Sequence, residues 1–300
     1  MSDSQNEGIV IRVHGGHHYV QADNQVIDCS LRGLMKRTRA AADLVVIGDR
    51  VRWEPTDEGA GVITQVLPRR STLSRRPPAA RAQRAQVLVA NPDLAVVVFS
   101  FQKPVLSTFM LDRYLVACEA VPLPVVMVIN KLDLASTPED HEAPALYRRI
   151  GYTVRSTNAL TGEGLEPLRA ELHGKLSIFT GPSGVGKSSL LNALWPELAL
   201  LTGEISEYHA EGTHTTVVAR LLEPEPGTYV ADTPGLREFE LWDIDPEQLD
   251  YFFPEMRPFL GQCHFKPCTH THEPRCAVKA AVARGEIAAV RYESYLKLFG

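Results

Sequence analysis

No stretch of this chain is apolar for long enough to span a bilayer, and its first residues, MSDSQNEG, are polar and acidic where a signal peptide would be basic and then apolar. Membrane-spanning and exported classes are set aside, and the expected location is the cytoplasm. Cysteine is scarce: there are 5 in 300 residues, three of them between Cys263 and Cys276, while Cys29 and Cys118 stand apart. So few cysteines cannot frame a disulfide scaffold, and their clustering in a reducing compartment points to metal instead. An overall positive charge is also missing. The formal net charge is −5, which excludes a protein that coats nucleic acid along its whole surface and leaves room for a local basic patch. Acid is absent between Arg69 and Arg84, where Arg69, Arg70, Arg75, Arg76, Arg81 and Arg84 fall together as a solvated linker or a contact for an anionic partner. There is no internal repeat.

What is present divides along the chain. From residue 8 to 70, short β-like runs (IVIRV, HHYVQA, LVVIGDRVRWEP, GVITQVL) alternate with Gly, Asp and Asn, a pattern suited to a small all-β barrel. The polar, proline-containing RRSTLSRRPPAARAQRA marks a boundary. From Asn91 the rhythm becomes strand, helix, strand: LAVVVFSF, then STFMLDRYLVACEA with Met110, Leu111, Tyr114, Leu115 and Cys118 on one face, then VVMVIN. Such alternation predicts a parallel sheet with crossover helices. Strand signals stop after LWDID, and the last fifty or so residues join a Cys/His-rich loop to the helical run CAVKAAVARGEIAAVRYESYLKLF. The expected domains are a β barrel at 1–70, a basic linker at 71–85, an α/β domain at 86–245 and a metal-binding helical domain at 246–300.

The chemistry sits at three places. Gly181, Gly186, Lys187 and Ser188 fit G-x-x-x-x-G-K-S between an apolar strand, LSIF, and a helix-forming run, SSLLNAL. In such a loop (Gly181, Pro182, Ser183, Gly184, Val185, Gly186) glycines turn backbone N–H groups inward around phosphates, at the positive end of the following helix. Lys187 then neutralises the outer phosphates, and the Ser188 hydroxyl, with Ser189 beside it, ligates Mg²⁺. Further on, VADTPG puts Asp232 at a strand end to hold the metal's water shell and Gly235 where its N–H meets the γ-phosphate. NKLD supplies the base reader: Asp133 accepts the adjacent N1–H and N2 amine of guanine, Lys131 lays its methylenes over the base, and Asn130 ties this loop to the phosphate loop. Adenine lacks that donor pair, and the buried carboxylate left unpaired would reject it. NALTGEG, beginning at Asn158 and Ala159, offers backbone N–H groups to guanine O6.

NKLD precedes the phosphate loop, the reverse of the usual order. Taken as a ring, the order is phosphate loop, first switch, DTPG, NKLD, NALTG; the chain cuts the ring after the third element and the pocket survives the cut. In this, and in GDRV, GVITQVLPRRSTLSR, LDRYLV, TGEGL, GPSGVGKSSLLN, GTHTT and CHFKPCTHTHEPRCAV, the sequence resembles the ribosome small subunit-dependent GTPase A family of circularly permuted GTPases, over nearly the whole chain. The resemblance implies an N-terminal OB-fold that binds RNA, a permuted GTPase domain, a zinc-bearing C-terminal domain, and GTP hydrolysis stimulated by the small ribosomal subunit and its rRNA. A monomer is expected. Asn158 stands where the family more often has Ser.

Ras-type enzymes have Gln after the D-x-x-G glycine to orient the attacking water; here the position is Leu236, which predicts slow intrinsic turnover. His214 in GTHTT is the nearest replacement, supported by the resemblance. Thr215 or Thr216, with Thr216 favoured, ligates the magnesium. Cys263, Cys268 and Cys276 supply three thiolates of a closed tetrahedral set suited to structural Zn²⁺. His264, His270 and His272 compete for the fourth place, and the family pattern favours His270. Because DTPG runs directly into this tail, movement on hydrolysis is expected to reach it. The alternatives are an RNA-binding scaffold that only senses GTP and a P-loop ATPase or kinase.

Overall fold

Short strands that bury every second residue over part of their length build the first unit of the computed structural model, which describes residues 6–23, 25–33, 45–56, 59–75, 86–121, 123–200, 220–232 and 245–300. Strands β1 (Asn6–His14), β2 (His17–Ala22), β3 (Gln25–Leu31), β4 (Arg50–Pro55) and β5 (Gly61–Val66) turn Val10, Val20, Cys29, Val51, Trp53 and Ile63 to one interior. The order is β1-β2-β3-β5-β4, and β1 pairs back onto β4, so the sheet closes into a barrel as the sequence predicts. The β3–β5 pairing is parallel.

The stretch assigned to the linker opens with a strand. β6 (Thr72–Arg75) pairs antiparallel with β7 (Gln86–Ala90), because Leu73 is buried beside Ile47, Val89 and Ile178 in a core shared by the barrel and the next domain. Two of the six arginines are committed here. Arg69 grips the fully buried Asp49 through two bonds of 2.7 and 2.8 Å, and Arg70 reaches Asp93 at 2.9 Å. A bidentate pair of this kind fixes orientation as well as charge. Arg76, Arg81 and Arg84 lie outside the described residues.

The second unit is a sheet in the order β10-β9-β8-β11-β13-β12, whose first five strands run parallel: β8 (Leu94–Ser100), β9 (Val125–Asn130), β10 (Thr153–Ser156), β11 (Leu176–Thr180) and β13 (Thr228–Asp232). β12 (Arg220–Glu225) is antiparallel to β13 and meets barrel strand β1 at Arg12 and Arg220. Strands covered on both faces read as continuous apolar runs, and β8 shows why. Leu94, Val96 and Val98 pack against α3 (Leu165–Leu172) and α4 (Lys187–Leu194), while Ala95, Val97 and Phe99 pack against α1 (Thr108–Ala120) and α2 (Glu142–Ile150).

α1 starts where the Ser107 side chain accepts the N–H of Met110, an N-cap. Of its expected face, Leu111, Tyr114, Leu115 and Cys118 are buried on the sheet and Met110 is half-buried against it, but Asp112, Val116 and Ala117 are buried too, because the C-terminal unit covers the opposite side. That unit holds 3-10 turns at Pro246–Phe252 and Arg257–Phe259, then α5 (Ala277–Ala283) and α6 (Ala289–Phe299). The single helical run read from the sequence is two helices: Gly285 takes φ of 75° and ends the first. Arg291 of α6, wholly buried, pairs with Asp112 of α1 and with both oxygens of Glu255, at 2.5 and 3.1 Å to the latter. Among the described residues, no helix is long and apolar enough to cross a membrane.

Candidate guanine-nucleotide site and metal cluster

Every motif of the predicted pocket that the structure describes follows the carboxyl end of a parallel strand, where open α/β sheets bind ligands. The phosphate loop follows β11 and opens α4, NKLD follows β9, and NALTGEG follows β10. β13 lies beside β11 in parallel register, Ile178 against Ala231, so Asp232 ends its strand next to the strand that enters the phosphate loop.

The loop's shape is set by two glycines and a buried anchor. Gly181, at φ of 138°, passes so close to β8 that a Cβ would stand 2.0 Å from the Val98 carbonyl. Gly186, at φ of 93°, would put a Cβ 2.6 Å from Asn130 Nδ2. Between them Val185 is fully buried in the core under α4, which pins the loop's middle. Pro182, Ser183 and Gly184 form its outer lip, and Ser188 and Ser189 are half-buried in the first turn of α4. Lys187 Nζ is held over the loop by the carbonyls of Gly181 and Pro182, both at 2.6 Å.

Asn130 joins three loops. Its Nδ2 donates to the Val185 carbonyl at 3.1 Å, and its Oδ1 accepts the Thr157 hydroxyl at 3.2 Å and the Ala159 N–H at 3.3 Å. The side chain is buried, and its described bonds link NKLD to the phosphate loop on one side and to NALTGEG on the other. The reading of Asn130 as a tie is what the geometry shows. Lys131, at φ of 60°, donates from Nζ to Gly184 at 2.6 Å and to the carbonyl of Lys103. Asp133 is exposed on the following turn, Leu132–Leu134.

Asn158 is chiefly a loop builder. It is buried, its Oδ1 accepts Leu160 and Thr161 N–H groups at 2.9 and 3.3 Å, and its own N–H is taken by Glu163. The Ala159 N–H, at the long end of hydrogen-bond distance, is the less committed donor. Thr157 and Lys103, which hold Asn130 and Lys131, carried no signal in the sequence beyond adjacency to a motif. His214, Thr215, Thr216, Gly235 and Leu236 lie outside the described residues.

In the C-terminal unit the structure brings together Cys263, Cys268, His270 and Cys276, whose ligand atoms all lie within 4.8 Å of one another. Cys263 Sγ stands 3.8 Å from Cys276 Sγ and 3.5 Å from His270 Nδ1, and His270 Nδ1 stands 3.3 Å from Cys276 Sγ. A tetrahedron with metal–sulfur bonds of about 2.3 Å has sulfur–sulfur edges of about 3.8 Å, so the donor set fits a tetrahedral metal. His270 Nε2 bonds Asp250 at 3.1 Å, which leaves Nδ1 to face the thiols. Burial works against the imidazolium, but Asp250 and the thiolates of Cys276 and Cys263 outweigh it and carry His270 up to about 9. Burial pushes the Cys268 thiol up to about 12. Metal binding must therefore release protons from this cluster. Of the rival histidines, His264 packs edge-on against Phe265, and His272 bonds the Thr271 hydroxyl at 3.0 Å.

A parallel sheet with a phosphate loop and the NKLD loop docked on it, entered in reversed order, defines a circularly permuted P-loop GTPase. Comparison with known proteins agrees. The sequence pattern of the RsgA GTPase family matches residues 66–242 and that of the RsgA N-terminal domain residues 7–63. The chain is 43% identical over 290 residues to the small ribosomal subunit biogenesis GTPase RsgA of Moorella thermoacetica, covering 97% of this chain and 95% of that one. With the protein of the same name from Gemmatimonas aurantiaca it shares 44% over 295 residues, with the same coverage. It also resembles the crystal structure of YjeQ from Thermotoga maritima, with a TM-score of 0.79, 37% identity and coverage of 98% and 97%. YloQ, described as a circularly permuted GTPase, gives a TM-score of 0.77 at 31% identity, with coverage of 99% and 94%. The chain belongs to the RsgA GTPase family.

Proposed function

We propose that this chain is a magnesium-dependent GTP hydrolase acting in late maturation of the small ribosomal subunit, and that the subunit stimulates it. The observation that carries the reading is the bond from Asn130 to Val185, which seats the guanine loop on the phosphate loop, in a chain whose relatives are named for small-subunit biogenesis.

Asp133 accepts guanine N1–H and the N2 amine, and the Lys131 stem, fixed by the carbonyls of Gly184 and Lys103, covers one face of the base. Asn130 holds the pocket together, and Ala159 presents its N–H to O6 from the loop that Asn158 shapes. Backbone N–H groups from Ser183 to Ser189 wrap the phosphates, with Gly181 and Pro182 setting the turn, and Lys187 exchanges loop carbonyls for phosphate oxygens. Magnesium, when bound, neutralises charge on the phosphates; Ser188 and Thr216 would hold it, with Asp232 behind its water shell. Gly235 donates its N–H to the γ-phosphate. With Leu236 in place of a glutamine, His214 positions the attacking water.

The metal at Cys263, Cys268, His270 and Cys276 is zinc in a structural role, since four protein ligands leave no open position for a substrate. Residues 1–70 bind rRNA, the basic connection 71–85 opens with the packed strand β6, 86–245 form the GTPase domain and 246–300 the zinc domain. The protein works as a monomer in the cytoplasm.

The test is phosphate release from GTP with and without purified small subunits, at two salt concentrations. Slow turnover alone, acceleration by subunits and weaker acceleration at high salt are expected, because phosphate contacts are lost as counterions compete. Turnover indifferent to subunits would sink the reading. His214→Ala should bind GDP normally and lose the acceleration.

A further inference from the structure

A groove of about 720 Å³ opens between the loop after β8, helix α2 and the start of α6. It is large enough for several side chains of a partner, and the pocket motifs leave it unused. Leu106 and Leu146 help form its apolar wall, extended by Val105 and Val290, residues that are 69% and 36% exposed. Exposed aliphatic side chains gathered at a concave site, rather than scattered singly, mark a contact surface.

The rim carries a charge sign. Glu139, Asp140 and Glu142 line it against a single arginine, Arg149. Asp140 stays ionised, because the Thr137 N–H, the Gln102 amide and the Ser136 N–H hold its carboxyl below the ordinary range. An acidic rim around an apolar floor repels a phosphate backbone and suits a cationic peptide with apolar anchors.

The groove is joined to the guanine site. Gln102 donates to Asp140 at 2.9 Å, which fastens the loop after β8 to the rim. The next residue, Lys103, receives the ammonium of Lys131 on its carbonyl, and the same ammonium bonds Gly184 of the phosphate loop. Pro104 follows, with its Cδ 3.6 Å from where a Cβ at Gly184 would stand. A ligand that shifts this loop must therefore shift Lys131.

We infer that this groove docks a Lys/Arg-rich segment of a small-subunit protein through apolar anchors, and that its occupancy is transmitted to bound guanine nucleotide through Lys103 and Lys131. The identity of the partner rests on the ribosomal reading above. By linkage, a peptide that favours one nucleotide state is itself bound more tightly in that state by the same factor.

The experiment titrates short fluorescent peptides, tiling the Lys/Arg-rich segments of the small-subunit proteins, against the full chain by anisotropy, with a uridine oligonucleotide as the RNA probe. At least one peptide should bind, more weakly at raised salt, and its affinity should differ several-fold between GDP and a non-hydrolysable GTP analogue. The double variant Glu139→Lys, Glu142→Lys should weaken it about tenfold, and Val105→Asp should weaken it independently, with GDP affinity unchanged in both as proof of folding. The proposal is overturned if no peptide binds, if the charge-reversed chain binds equally well, or if the oligonucleotide is the probe that these substitutions displace. Should small subunits fail to accelerate GTP turnover while a peptide binds at the groove, the ribosomal reading fails and the groove stands.

Discussion

At Gly186 the backbone lies at φ of 93° with Asn130 Nδ2 only 2.6 Å from the place of an added Cβ, so Gly186→Ala faces both a strained backbone and a buried amide that cannot move away. Parting the two loops should lower GDP affinity at least about tenfold, corresponding to the loss of one or two buried hydrogen bonds, as read by titration calorimetry. Asn130→Ala should act in the same direction, because it leaves the Val185 carbonyl and the Thr157 hydroxyl without the partner that holds them. Asp133 makes the opposite kind of test. It is exposed, and its charge acts on the neighbouring Lys131, so Asp133→Asn should leave the melting temperature nearly unchanged and weaken GDP by about 1.5–3 kcal/mol. The same substitution should improve xanthosine diphosphate, whose carbonyl at the 2-position accepts the new amide. These residues were legible before the structure because their chemistry is local: a spacing of glycines and a carboxylate after a strand. Thr157 and the Lys103 carbonyl were not, since a hydroxyl before a loop and a backbone oxygen carry no side-chain signature of their task.

Helix α1 shows what pattern alone misses. Its apolar stripe announced one buried face, yet Asp112, on the other side, is fully buried because Arg291, 179 positions along the chain, comes to meet it. Arg291 also grips Glu255 and lies 4.6 Å over the ring of Phe253, so one guanidinium ties the GTPase sheet's covering helix to the C-terminal unit. Breaking a buried pair by removing one partner strands the other charge, at about 3–5 kcal/mol. Arg291→Met should therefore lower thermal stability by that order and raise hydrogen exchange in α1 and α6 together; exchange confined to α6 would show that the link is weak. The metal cluster works on the same element set. Cys263 and Cys276 belong to the core that holds Phe253, Met256 and Tyr295, and the Cys276 side chain caps α5 by accepting the Lys279 N–H. Chelation should melt this unit first, visible as a separate low-temperature transition by calorimetry, and raising the pH after adding zinc should restore it, since binding releases protons from His270 and the thiols. The helical run of the tail is visible in the sequence, and its break falls at Gly285, glycine being the residue that most often ends a helix.

Across the whole molecule the sheet explains how a reversed order of motifs leaves the pocket intact. The strand order places the phosphate loop's strand β11 between β8 and β13, and every described motif emerges at the same edge whatever its position along the chain. Short β-like runs revealed the barrel, and apolar strands alternating with helices revealed the parallel sheet, because each element's burial is a property of its own residues. Closure of the barrel by β1 on β4, and the bridge from β1 to β12, depend on pairings between distant segments that no local pattern encodes. The stretch read as a linker hid a strand for the same reason: β6 exists because Leu73 finds a core and β7 a partner. What ties these scales together is the proposal that Asp133, on the loop after β9, and Lys187, at the start of α4, serve one guanine nucleotide. Calorimetric titration of GDP and ADP against the full chain, its Asp133→Ala variant and its Lys187→Ala variant tests this directly. GDP should bind the parent tightly, ADP should bind it weaker by several kcal/mol, and each substitution alone should abolish most of the GDP affinity. ADP binding as well as GDP, or either variant binding GDP like the parent, would show that the two motifs do not serve one nucleotide.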